Sequence, residues 1–73
     1  MAKWNTNLRK ARKEMGLSLE GAVKLLKECH GIRMYRTELF KIEKSQIDCN
    51  VTKFMALCDI YDVEPNWILG WKV

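Results

Sequence analysis

Between Tyr35 and Ser45 the chain carries Arg36, Lys41 and Lys44, with Thr37 and Phe40 interleaved. These are the residues whose types and spacing can do the most chemistry. Wound into a helix at about 100° per residue with Arg36 at zero, Arg36, Thr37, Phe40, Lys41 and Lys44 fall between about 0° and 140°. Tyr35, Leu39 and Ile42 fall between about 240° and 300°, an inward apolar stripe, and Glu38 stands apart near about 200°. The outer face of that helix therefore holds three cations and no acid. A face of this kind can lie in the DNA major groove, where cations neutralise phosphates and donors read guanine or adenine edges. An exposed basic face that binds nothing is the plainer alternative at this point.

The other reactive side chains are poorly arranged for catalysis. His30, the one histidine, follows Cys29 directly, and neighbours in sequence do not face each other on a helix. There is no glycine-rich phosphate loop and no pair of carboxylates in an apolar setting. The expectation is a protein that is not an enzyme, with no small-molecule substrate and no cofactor. Cys29, Cys49 and Cys58 form no C-x-x-C pair, and with His30 they match no usual zinc spacing, so no metal is expected. An odd number of cysteines leaves a disulfide framework incomplete. The simpler reading is three small, buried, reduced thiols in a cytoplasmic protein.

Five short helices are expected to position these residues. One proline and four glycines interrupt the 73 residues, and apolar positions recur near a period of 3.6 rather than two. The first helix is predicted over about Thr6–Met15, capped by Asn5, ended by Gly16, with Trp4, Leu8, Ala11 and Met15 on one stripe. The second starts after Ser18, with Glu20 in its first turn, where the helix dipole favours an acid. Its apolar face is Ala22, Val23, Leu25, Leu26 and Cys29, and it stops at His30-Gly31. The third runs from about Tyr35 to Lys44. The fourth runs from Val51 to Tyr61 behind an Asn50 cap, with Val51, Phe54, Leu57, Cys58 and Tyr61 inward and Asp62 in the left-handed stop position. Pro65 opens a last short helix reaching Gly70.

Composition bounds the rest. A chain of 73 residues forms one domain with one small core, and no apolar run approaches the ~20 residues that span a bilayer, so no membrane partner is expected. Charge is uneven. Residues 1–44 carry 11 Lys and Arg against five acids, a net of +6, whereas residues 45–73 have a net of −2. A basic N-terminal portion is the footprint of a nucleic-acid binder.

Three segments in order, "LRKARKEMGLS" at 8–18, "LFKIEKS" at 39–45 and "ALCDIYDVEPNWILG" at 56–70, resemble the phage repressor and Cro family, the xenobiotic-response-element type of helix-turn-helix. The likeness covers about residues 4–70. It implies a lambda-repressor-like fold of five α-helices, double-stranded DNA as partner, a homodimer on an inverted-repeat operator, and control of transcription. Arg36, Thr37, Phe40 and Lys41 match the family's base-reading positions. Phe40 stands where a polar residue is usual, which leaves two readings, contact with a thymine methyl or packing against a loop. Tyr35, Lys44 and Ser45 match phosphate-holding positions, as do Ser18 and Leu19 at the start of the second helix. Arg12 and Glu43 match a pair that positions the recognition helix without touching DNA. Trp67, Ile68 and Trp71 are candidates for a dimer patch; the plainer reading has Trp67 and Ile68 completing the core, and Trp67 is expected there with Trp71 at least partly exposed. An antitoxin-like protein-interaction module on the same fold is the competing function. Two departures stand out. Between "GLS" and "IEKS" the chain is about six residues longer than the family's common form, around Lys27–Arg33. Tyr35 also replaces a small hydroxyl residue at the start of the recognition helix.

Overall fold

The computed structural model describes residues 4–69, which hold five helices and no strand. They are α1 (Trp4–Glu14), α2 (Leu19–His30), α3 (Arg36–Glu43), α4 (Val51–Ile60) and α5 (Pro65–Leu69). The expected all-α architecture of five helices is observed. α2 packs on α3 and α4, α1 on α3 and α5, and α4 on α5.

Local chemistry accounts for most of the helix ends. Ser18 adopts an extended backbone, and its hydroxyl accepts from the Gly21 amide at 3.0 Å, opening α2. Asn50 does the same for α4, its Oδ1 accepting from the Lys53 amide at 2.8 Å. Gly31, at φ 65°, closes α2 in the left-handed conformation, and its N–H donates to the Lys27 carbonyl. Two non-glycine residues take the same conformation. Ser45 (φ 62°) follows α3, and Asp62 (φ 55°) follows α4, as expected from its place in the sequence.

α1 begins earlier than expected. Asn5 is not its cap; it lies inside the helix, buried, and its Nδ2 donates to the Ile42 carbonyl at 2.6 Å. That carbonyl belongs to the last turn of α3, where intrahelical partners run out. A tertiary acceptor thus outcompetes the local capping geometry.

The core is formed by Leu8 and Ala11 of α1, Ala22 and Leu26 of α2, Met34, Leu39 and Ile42, Ala56, Leu57 and Cys58 of α4, Tyr61 and Ile68. At one edge the Trp4 and Phe54 rings meet edge to face, centroids 5.7 Å apart, tying α1 to α4. Several residues expected inward are not. Met15 and Val51 are exposed, each at the end of its predicted stripe where no neighbouring helix covers it. Cys29 is exposed and Cys49 partly so, leaving Cys58 as the one buried thiol of the three. Burial pushes its pKa from the ordinary 9.0 up to about 11. Trp67 is exposed, and the neighbouring Ile68 takes the core position instead.

Candidate nucleic-acid interface

α3 is held by its C-terminal end. Besides the Asn5 bond, Arg12 of α1 grips Glu43 through two parallel contacts, Nε to Oε2 at 2.8 Å and Nη2 to Oε1 at 3.1 Å. Its third nitrogen, Nη1, donates to the Leu17 carbonyl at 2.8 Å. Both side chains are almost fully buried, at 9% and 2% exposure. The bond to Glu43 is the main influence holding the Arg12 pKa above its ordinary value, against the opposing effect of burial. The pair expected from the sequence is therefore formed. One α1 side chain fixes the end of α3 and the α1–α2 turn together.

The opposite side of α3 faces solvent. Arg36, Thr37, Phe40, Lys41 and Lys44 are all exposed, while Leu39 and Ile42 are fully buried beneath them. Phe40 is about half exposed, with the Lys44 ammonium 5.6 Å from its ring centroid. Glu38 turns aside, as the 100° spacing requires, and accepts from Lys53 Nζ of α4 at 2.6 Å.

Two expectations about this helix need correction. Tyr35 is not part of the inward stripe. It is the extended N-cap residue (φ −91°, ψ 150°), so helical spacing does not apply to it, and its side chain is 67% exposed and makes no capping bond. The face is also not wholly without acid. Glu20 of α2 reaches its edge and accepts from Arg36 Nη1 at 3.2 Å, with both side chains mostly exposed. A pair this exposed contributes only about 0–1 kcal/mol and opens readily.

Ser18 and Leu19 sit at the start of α2, beside that Glu20–Arg36 contact, with Ser18 exposed. Ser45 is exposed at the end of α3. The structure thus gathers Ser18, Leu19 and Tyr35–Ser45 around α3 and its junction with α2. No family model matches the chain. Neither curated proteins nor solved structures offer a match.

α2 continues to His30, and residues 31–35 then lead into α3. The far end of α2 is tied to α4 by His30 Nε2 and Asp59 Oδ2, 2.8 Å apart. Nothing local in the sequence announces this contact or the Glu20–Arg36 pair, because each joins residues on different helices.

Of the dimer candidates, Ile68 is fully buried in the core of its own chain and so is removed from any surface patch. Trp67 is exposed, and Trp71 lies outside the described residues. A separate apolar groove of about 430 Å³ is lined by Trp4, Val51, Phe54, Met55, Pro65 and Leu69, among others. Among the described residues, no group of three His, Cys, Asp or Glu side chains gathers as a metal site, and no helix is long and apolar enough to cross a membrane.

Proposed function

We propose that this protein is a sequence-specific double-stranded DNA-binding transcriptional regulator of the phage repressor and Cro type, in which α2 and α3 act as a helix-turn-helix. The observation that carries the reading is the solvent-facing side of α3, where Arg36, Thr37, Phe40, Lys41 and Lys44 stand exposed over a buried Leu39–Ile42 stripe. Arg36 and Lys41 reach base edges, with Thr37 and Phe40 beside them, Phe40 against a thymine methyl. Lys44, Ser45, Tyr35 and the start of α2 at Ser18 and Leu19 hold phosphates on either side. Arg12 and Glu43 set the angle at which α3 projects. Acting as a homodimer, the protein would offer two such helices to half-sites about 34 Å apart on an inverted repeat.

A duplex recovered by selection from a random pool tests the reading by fluorescence anisotropy over a salt series. The logarithm of affinity should fall linearly with the logarithm of salt, with a slope corresponding to about six to ten phosphates per dimer. Lys41→Ala should narrow the gap between selected and scrambled duplexes, whereas Lys44→Ala should weaken both alike. Equal losses from both variants on every duplex would overturn the division between reading and holding residues. Binding that is weak and indifferent to sequence would overturn the regulator itself. That last outcome favours the second reading, a protein-interaction module. Its support is the apolar groove beside α4, where Val51 and Met55 are left exposed.

A further inference from the structure

The lengthened junction between α2 and α3 builds a second basic surface. Beyond Gly31 the chain turns back along α2. Val23, Lys24 and Lys27 of the helix and Arg33, Met34 and Tyr35 of the connection then line an open cleft of about 300 Å³. Met34 is buried and Val23 partly buried, so they form the floor, while the three cations and Tyr35 are exposed at the rim. No acid lines the cleft. The nearest acids in sequence on α2 are Glu20, which is engaged by Arg36, and Glu28, which lies outside the lining. Among the described residues, none of Lys24, Lys27 and Arg33 has a carboxylate partner. Glu20 and Glu28 flank Lys24 one helical turn away without pairing with it, so the lining itself keeps three cations and no acid, and an anion seated between them would relieve their mutual repulsion.

We propose that this cleft holds one backbone phosphodiester of the duplex that α3 enters. The inference rests on the DNA-binding reading and extends it, beside the already assigned Tyr35, to Lys24, Lys27 and Arg33. The chemistry fits a phosphate: two ammonium groups as point charges, a guanidinium able to donate two parallel bonds, and a phenol hydroxyl as a further donor. Continuity favours the duplex as the source of that phosphate. Tyr35 closes the cleft on one side and is the N-cap of α3 on the other, directly before Arg36. A strand whose bases face Arg36 therefore passes the mouth of the cleft.

The test is a Lys27→Gln/Arg33→Gln variant of the full chain on the selected duplex. Both residues are exposed, so the fold is retained, and thermal unfolding checks this. The expected result at 0.1 M salt is about an 8-fold loss of affinity per protomer, about 60-fold for the dimer, with the salt slope shallower by about 0.9 per protomer, the release associated with one phosphate. Selected and scrambled duplexes should lose equally. Lys10→Gln/Lys13→Gln, with the same change of charge on α1, should leave the slope unchanged. An equal effect from this control would reduce the cleft to general charge and overturn the proposal, as would an unchanged slope in the cleft variant. NMR gives an independent arm. The Arg33 Nε–H and Tyr35 amide signals should shift with duplex and not with inorganic phosphate at the same concentration; shifts of equal size would make the cleft a free-anion site instead. Failure of the wild-type protein to bind duplex in a salt-dependent way would sink the function itself. Wild-type binding with an unaltered cleft variant sinks the cleft alone.

Discussion

Replacing Arg12 with alanine should bring the domain to the edge of unfolding. The substitution removes three hydrogen bonds at once, two to Glu43 and one to the Leu17 carbonyl. It leaves the Glu43 carboxylate, 2% exposed, without a partner. An uncompensated charge at that depth costs about 3–5 kcal/mol. A domain of this length has only about 4–11 kcal/mol of total stability, so one side chain controls a large share of it. Thermal unfolding followed by far-ultraviolet circular dichroism should show the midpoint falling by at least about 12 °C. Urea titration should give the same loss at unchanged m-value. Arg12→Lys should fall between, since it keeps the charge and loses the paired geometry. The decisive comparison is Arg12→Met with Glu43→Leu. Removing both charges together should recover most of the loss, because burying two ions costs nearly as much as their attraction returns. A loss below about 1 kcal/mol for Arg12→Ala would show that water screens the pair. A double variant as unstable as the single one would place the cost somewhere other than the orphaned carboxylate.

Four further outcomes are expected. Glu20→Gln should raise affinity for the selected duplex by about 2–5-fold, because Arg36 no longer has to leave an exposed ion pair; unchanged affinity would show that the pair does not compete with DNA. Among the described residues the buried Tyr61 hydroxyl has no hydrogen-bond partner, so Tyr61→Phe should leave stability unchanged or raise it by up to about 1 kcal/mol in urea titration, and a comparable loss would reveal a partner. Under native conditions Cys29 should react with a thiol reagent before Cys58. Because the folded pKa of Cys58 is raised from 9.0 to about 11, the folded state holds that proton more tightly. Its contribution to stability is complete below pH 9 and is lost as the pH climbs through about 11. The part of the alkaline slope due to this thiol should disappear in Cys58→Ala, and an unchanged slope would assign it elsewhere.

What the sequence could reveal follows from how far each interaction reaches along the chain. Ser18, Gly16, Gly31, Asn50 and Asp62 were legible as helix boundaries because capping depends on residues at most a few positions away. The exposed face of α3 was legible for the same reason, since 100° spacing needs only the helix itself. Tyr35 escapes that spacing because it lies one residue before the first helical position, in extended backbone. Asn5 satisfied the local rule for a cap, yet the Ile42 carbonyl, 37 positions away, claimed its side chain. Val51 and Met15 show that an apolar stripe locates a core only along the stretch a neighbouring helix covers. Trp67 and Ile68 were beyond periodicity altogether, because α5 is a five-residue helix and offers little more than one turn to average. The Glu20–Arg36 and His30–Asp59 contacts have no sequence signal at all.

The anchoring of α3 is lopsided, with mechanical results. Asn5 and Arg12 both fasten its final turn, while its first turn has the Glu38–Lys53 pair alone beyond packing, Tyr35 supplying no cap and Arg36 only an exposed carboxylate. The eight residues make a rod about 12 Å long, anchored most heavily at its Ile42–Glu43 end. Tilting that rod by about 10° swings its free tip through about 2 Å, more than the tolerance of a hydrogen bond to a base edge. On the proposed DNA-binding reading, substitutions in α1 remote from the duplex would therefore retune which letters that end of α3 can spell.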